Sequence, residues 1–170
     1  MKMRKKILIC LTALLALAFI STLMVSADNP KYRKGPSVSD NGLTATATGT
    51  LTGLGNGNVI VTLSFPDATG GTNCTSPGGG STAPGQNPAL SVPVSDSALI
   101  TDVKNGNLSF TVTTNTPDNP TPGAAGCPNN NWSAAFSDLN FGCGTCLIQQ
   151  ETFQGSAIYV TVLTNSVCLN

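Results

Sequence analysis

The sequence contains no histidine, and Glu151 is its only glutamate. The lack of histidine excludes Ser-His-Asp and Cys-His activation of a nucleophile, imidazole metal ligands and histidine proton shuttles. A glycosidase needs two carboxylates across one cleft, whereas the aspartates here are scattered along the chain without a motif. We therefore expect a protein that is not an enzyme, with no catalytic residue, no metal site and no cofactor.

Charged residues are also scarce, at 9% of 170 residues. Four of the eight basic residues and none of the eight acidic ones lie near the N-terminus before residue 7, so removal of that segment would leave a net charge of −4. The only basic cluster that follows consists of Lys31, Arg33 and Lys34. Because this cluster lies in a segment that we expect to be loose, we predict no nucleic-acid partner.

Long apolar runs are absent except at the N-terminus, where residues 7–25 follow the four basic residues. Ser26 and Ala27 then supply the small residues of a cleavage site, which predicts a signal peptide over residues 1–27. An uncleaved anchor is the alternative, because the run of 19 residues approaches the roughly 20 that span a bilayer. We expect a secreted or extracellular protein with no membrane contact after cleavage, or a cell-surface protein if the leader is retained.

Beyond the leader, we expect a flexible tail over residues 28–41 and one domain over residues 42–170. Apolar and polar residues alternate over 43–52 and again over 59–65, which is typical of strands with one apolar face. The pair Asn56-Gly57 lies between these segments and favours a hairpin turn.

Further strands are indicated by the same alternation between turn residues rich in Gly, Pro and Asn. Two long loops, residues 76–88 and 115–131, are dense in Gly and Pro or Asn. The pattern predicts an all-β fold, a single antiparallel β-sandwich that is immunoglobulin-like in general architecture. The predicted segments are an edge strand at 89–94, a hairpin of 98–103 with 108–114 across Asn105-Gly106, an inner strand from Trp132 to Phe136, and a closing pair of 145–150 with 157–164.

Several motifs occur in a fixed order: GLTATATGTLTGLGNGN, C-x3-GG from Cys74, APGQNP, KNGN and AGCPNNNW. In this order the chain resembles an uncharacterised family of small secreted bacterial β-rich proteins. The resemblance covers roughly residues 43–132 and implies a β-rich extracellular domain. It supplies no catalytic or binding residue, and the three C-terminal cysteines depart from the family pattern.

Five cysteines lie beyond the leader, and outside the cytosol most of them should be oxidised. We predict that Cys74 pairs with Cys127, which would tie the two long loops together, and that Trp132 packs over this bridge. We also predict that Cys168 pairs with one of Cys143 or Cys146. The odd cysteine then stays free or links two chains as a disulfide-bonded dimer.

The Cys143-Gly-Thr-Cys146 motif has two further interpretations. Thioredoxin-type redox sites share its spacing, but there a helix follows, whereas the residues after Cys146 are typical of a strand. A zinc site with Cys127 and Cys168 is a second alternative, yet no other C-x2-C is present. A structural disulfide is the favoured interpretation.

Two functions from different classes remain. The favoured hypothesis is a secreted, non-enzymatic structural or interaction domain of the bacterial cell exterior, with cell-envelope or matrix components as partners. The alternative is a carbohydrate- or surface-ligand-binding module that uses loops 76–88 and 115–131. In the alternative, Trp132, Asn130 and Asn131 are the candidate ligand-binding residues. A core position for Trp132 competes with that role, because Ala134 and Phe136 continue its strand face.

Overall fold

The structure, a computed structural model, describes residues 29–169, and the predicted signal peptide at 1–27 lies outside them. The described chain forms β-strands and one short helix. Their bounds are β1 Lys31–Asp40, β2 Ala45–Thr52, β3 Val59–Thr75, β4 Thr82–Pro84, β5 Leu90–Ile100, β6 Leu108–Thr113, α1 Pro122–Ala125, β7 Ser133–Asn140, β8 Gly142–Glu151 and β9 Tyr159–Leu169.

The strands form two antiparallel sheets. The smaller sheet has the order β1-β2-β6, and the larger one has the order β4-β3-β8-β9 with β5 and β7 also paired to β3. Strand β3 is 17 residues long, so it can use different partners along its length. The first half of β3 lies between β5 and β8. The second half pairs with β7 on one side. On its other side, the second half pairs first with the start of β5 and then with β4. The predicted all-β class and two-sheet antiparallel arrangement are confirmed, while the finer likeness to immunoglobulin domains stays a prediction.

The core lies between the two sheets and follows directly from the alternation in the sequence. Val59, Val61, Leu63 and Phe65 point inward from β3 and are fully buried. The inner residues of β6 face them from the other sheet and join the same cluster. At roughly 1.5–3 kcal/mol for each fully buried large aliphatic or aromatic side chain, this burial is the main force that holds the sheets together.

The two predicted hairpins are wrong, although their strands exist. Strands β2 and β3 follow one another in sequence, but β2 pairs with β1 and β6, whereas β3 lies in the other sheet. In the same way β5 pairs with β3 and β6 pairs with β2. The turn at Asn105-Gly106 does form, with φ of 51° and 71°. It is closed only by the isolated bridge between Lys104 and Asn107, after which the chain continues into the second sheet.

The predicted flexible tail at 28–41 is also corrected, because most of it forms strand β1. This strand pairs with β2 from Lys31 to Asp40, with register shifts on both sides of Lys34. Tyr32 and Val38 turn inward and pack against the core. The charged residues of this segment obscured its strand character, since they lie on its exposed side and at the irregular middle of the strand.

Candidate functional site

The two long loops meet at the end of the sandwich where β3 and β7 extend beyond the rest of the larger sheet. A disulfide joins Cys74, near the end of β3, to Cys127, just after α1, with a Cα–Cα distance of 5.6 Å. This pairing agrees with the prediction. The bridge holds the second loop against the strand from which the first loop departs.

Hydrogen bonds join the first loop directly to α1. The side chain of Asn87 donates from Nδ2 to the carbonyl oxygens of Gly123 (3.2 Å) and Ala124 (2.9 Å). The carbonyl of Gly123 also accepts from the amide of Gly126 at 3.2 Å, and carbonyls at a helix end need such partners from outside the regular helix. A further hydrogen bond ties the first loop to β3, because the amide of Gly85 donates to the carbonyl of Thr72 at 2.7 Å. We call residues 76–88 and 115–131, joined in this way, the loop platform.

The short helix α1 is itself fixed by caps at both ends. The hydroxyl of Thr121 accepts a hydrogen bond from the amide of Ala124 at 3.3 Å, and Pro122 occupies the first helical turn. Gly126 ends the helix in the left-handed region at φ 72°. A Cβ at Gly126 would lie 2.7 Å from the amide nitrogen of Asn87, so only glycine permits this contact between the loops.

Trp132 lies beside the disulfide, as predicted. It is half-buried and packs with Cys127 against the small buried cluster of Cys74, Ala125 and Ala134. Much of its ring is therefore covered, and it is not an open platform for a sugar ring. This packing agrees with the predicted place of Trp132 over the disulfide, and its ligand-binding role stays a prediction.

The neighbouring asparagines form an exposed turn. The carbonyl of Asn129 accepts from the amide of Trp132 at 3.2 Å, and its side chain accepts from the amide of Asn131 at 3.0 Å. Asn130 and Asn131 are exposed and immediately precede Trp132. The sequence analysis predicted Asn130, Asn131 and Trp132 as a group. It missed Asn129, which shapes the turn, and Asn87, which joins the two loops. The only signal for Asn129 was the repeated asparagine, which is common in turns.

A cleft of about 490 Å³ lies along the end of β7, and its lining includes Ala89, just after the first loop, and Leu169 at the end of β9. It brings together Asp40 and Asp138, which are almost a hundred positions apart in the sequence, together with Thr69 and Asn140. Asp40 accepts from the amide of Gly42 at 2.7 Å, and Asp138 accepts from the amide of Leu139 at 3.0 Å. Nothing in the sequence pattern indicated this site, because the segment of β1 that carries Asp40 is predicted as a tail. Its carboxylates and amide could accept from and donate to the hydroxyl groups of a ligand.

Glu151 has a structural position. It is 3% exposed, and its carboxylate accepts from the amides of Asn58 (2.8 Å) and Gly155 (3.0 Å). The side chain thus stabilises the two turns that contain Asn58 and Gly155, at the end of the sandwich opposite the disulfide-bound loops.

The C-terminal cysteines resolve the alternative left open by the sequence. Cys143 pairs with Cys168, directly opposite on β8 and β9, with a Cα–Cα distance of 4.0 Å. Cys146 is free. Cys143 and Cys146 point to opposite faces of β8, so they share neither a metal nor a redox bond. Within residues 29–169, no group of three or more His, Cys, Asp or Glu side chains could hold a metal ion.

The predicted disulfide-bonded dimer through the odd cysteine does not fit this placement. Cys146 is 0% exposed between the sheets, and Tyr32 donates a hydrogen bond to its sulfur at 3.8 Å. Burial raises the pKa of the Cys146 thiol, which keeps it protonated and unreactive. A bond to a second chain would require the sandwich to open.

Comparisons with protein-family models, with curated proteins and with solved structures give no match for this chain. In the part of the chain that the structure describes, no helix is long and apolar enough to cross a membrane.

Proposed function

We propose that this chain is a secreted, non-enzymatic interaction domain of the bacterial cell exterior, and that the loop platform is a surface through which it contacts envelope or matrix components. The observation that carries the proposal is the fixed contact between the two long loops. They have little core of their own, yet a disulfide, a capped helix and the Asn87 hydrogen bonds hold them in one arrangement.

Such fixation has a physical advantage for binding. A flexible loop loses conformational entropy when it binds, and prior ordering removes part of that cost. In the chain-entropy model, a disulfide across a sequence separation of 53 residues stabilises the folded state by about 4 kcal/mol. Loops held on a rigid sheet scaffold are common recognition surfaces. Both considerations support contact, not catalysis, as the role of this end of the molecule.

The test is a pull-down of native cell-envelope fractions with the purified secreted protein. We expect the Asn130→Ala/Asn131→Ala variant to retain the wild-type fold and to lose most of the captured material. Ser109→Ala/Thr111→Ala, which changes two exposed residues on the outer face of β6, is the matched control and should bind as the wild type does. Equal capture by both variants would contradict a role for the loop platform. Turnover of substrates in a hydrolase or redox panel would contradict the non-enzymatic assignment.

A carbohydrate-binding module is the second candidate, and the cleft along β7 favours it. The cleft is of a size that holds a small ligand, and its polar side chains suit hydroxyl groups. A glycan array distinguishes this candidate from a purely protein-binding surface. Binding that is lost in Asp138→Asn but retained in Asp67→Asn, an exposed aspartate in the bulge of β3, would assign a sugar to the cleft. Binding that survives both changes would exclude the cleft.

A further inference from the structure

Strand β9 has a long edge without a hydrogen-bonded strand partner, although β1 of the smaller sheet packs close to this strand. It pairs with β8 on one side, and no strand within residues 29–169 pairs with its other side. Open edges are templates for pairing with another chain, and proteins usually block them with charges, prolines, bulges or short length. The segment 152–169, which contains β9, has no charged residue and no proline.

Most of the other edge strands of the described chain are protected. Strand β1 has several charged residues and the irregular Gly35-Pro36 segment, and β5 has a proline and an aspartate. Strand β7 has a bulge and an aspartate, and β4 is three residues long. Strand β6 has no charge, no proline and no bulge, but at six residues it is a shorter edge than β9, which has 11 residues. The one irregularity of β9 is a bulge at Val162, which leaves the stretch 163–169 in regular pairing with β8.

The register of β9 shows which backbone groups face the open side. In an antiparallel pair, directly opposite residues are about 4.5 Å apart between Cα atoms where they share no hydrogen bonds and about 5.5 Å apart where they do. Cys143 and Cys168 are opposite at 4.0 Å, so they occupy a position without mutual hydrogen bonds. The N–H and C=O groups of Cys168, and by alternation those of Ser166 and Thr164, therefore point away from β8 into the open edge.

We propose that this edge pairs with a second copy of the same chain, β9 against β9, antiparallel about a two-fold axis at Ser166. In that register Thr164 lies opposite Cys168 of the second copy, and Ser166 lies opposite itself. The three outward-facing residues of each strand then form about six intermolecular backbone hydrogen bonds. The two larger sheets become one continuous sheet across the molecule pair.

The chemistry of the strand selects a second copy as the occupant. On the two-fold axis Ser166 faces its own copy, so a charge at that position would meet a like charge. The uncharged stretch 163–169 avoids this repulsion, whereas a strand adapted to a charged partner would carry complementary charges. Leu163 and Leu169, partly buried on the inner side, face one another across the axis and extend the apolar layer.

This inference deepens the proposed function, because it assigns a second contact surface to an interaction domain. It does not depend on the loop platform, which lies at the far end of β3. Loss of envelope binding in the platform variants would leave self-association unchanged, and failure of self-association would leave envelope binding unchanged.

Sedimentation velocity of the purified secreted protein tests the pairing. We expect a monomer–dimer equilibrium with a Kd of roughly 1–500 µM, as is usual for a small interface. Ser166→Pro removes an N–H that faces solvent in the monomer, where an edge strand tolerates proline, and should raise the Kd at least about tenfold. Ser166→Ala keeps the backbone donor and should dimerise as the wild type does. A wild type that stays monomeric throughout this range, or a folded Ser166→Pro variant with an unchanged Kd, would overturn the proposal.

A cross-linking variant decides the matter if Ser166→Pro fails to fold. Opposite residues in a hydrogen-bonded pair are about 5.5 Å apart, within the range that a disulfide spans. Ser166→Cys should therefore form a covalent dimer under oxidising conditions, with a 166–166 linked peptide in the mass spectrum. Ser97→Cys, an exposed position on the same sheet face in β5, should not. Absence of the 166–166 peptide, or equal cross-linking at position 97, would contradict the two-fold arrangement.

Discussion

At the scale of single residues, the contact between Tyr32 and Cys146 is the clearest link between the two sheets. The hydroxyl on β1 reaches the thiol on β8, with 114 positions between them in the sequence. Sequence reasoning identified Cys146 as one of two partners for Cys168 but could not choose between them. The choice depends on which face of β8 each cysteine occupies, and that face is set by the packing of the whole sandwich.

This buried pair predicts a fall in stability at alkaline pH. Burial raises the pKa of Tyr32 above its ordinary value of 10.0 and that of Cys146 above its ordinary value of 9.0. In this pH range the folded state therefore binds more protons than the unfolded state, so the free energy of unfolding falls as the pH rises past these ordinary values. We expect urea unfolding to show this fall between about pH 8 and about pH 11, and Tyr32→Phe to make it shallower.

The neutral-pH measurement is the internal control for that prediction. Tyr32→Phe removes only a long hydrogen bond to sulfur, so its cost at neutral pH should be no more than about 1 kcal/mol. Identical slopes for wild type and Tyr32→Phe at alkaline pH would show that the phenol is not the titrating group. Cys146→Ala removes the thiol, so the difference between its alkaline slope and that of the wild type gives the contribution of Cys146.

At the scale of elements, the alternation of apolar and polar residues located most strands but not their partners. Residues 43–52 and 59–65 form strands as predicted, yet they lie in different sheets. An Asn-Gly pair favours a tight turn, but it does not determine whether the chain returns beside its own strand or crosses to the other sheet. The strand partners depend on contacts between segments distant in sequence, which periodicity alone does not encode. The pairing of Cys74 with Cys127 was predictable because each cysteine borders a long loop.

The loop platform should be the element most sensitive to loss of its disulfide. We expect Cys74→Ser/Cys127→Ser to lower the free energy of unfolding by about 3–5 kcal/mol. Amide hydrogen exchange should rise in residues 76–88 and 115–131, since these segments retain little core to hold them. Asn87→Ala should raise exchange locally around Gly123 and Ala124 with the disulfide intact, because it removes the two side-chain hydrogen bonds to α1.

The matched comparison is removal of the second disulfide with Cys143→Ser/Cys168→Ser. Its sequence separation is 25 residues, and it joins two strands that already pair along their length. Exchange in the loop platform should therefore stay at the wild-type level in this variant. Equal increases in both double variants would mean that the loops respond to global stability and are not held by their own disulfide.

At the scale of the whole molecule, the two sheets are unequal, and β1 completes the smaller one. Without β1, that sheet would consist of β2 and β6 alone, and the edge of β2 would be open. An open edge on a strand rich in Thr and Ala is a template for aggregation. The segment that the sequence predicted as a flexible tail is therefore part of the fold.

Truncation measures this contribution. Deletion through Asp40 removes the pairing with β2 and the core contacts of Tyr32 and Val38. We expect the free energy of unfolding to fall by at least about 3 kcal/mol, which is roughly the contribution of two partly buried side chains and the strand hydrogen bonds. The truncated protein should also aggregate in a concentration-dependent way. The control is a deletion through Pro30, which ends before β1 begins. This protein should unfold at the same urea concentration as the wild type does. If both truncated proteins unfold at the same urea concentration as the intact domain, the segment behaves in solution as a tail, and the contact between Tyr32 and Cys146 is absent as well. Tyr32→Phe would then have to leave the alkaline slope of the intact domain unchanged, which makes the two measurements a joint test of how β1 closes the sandwich.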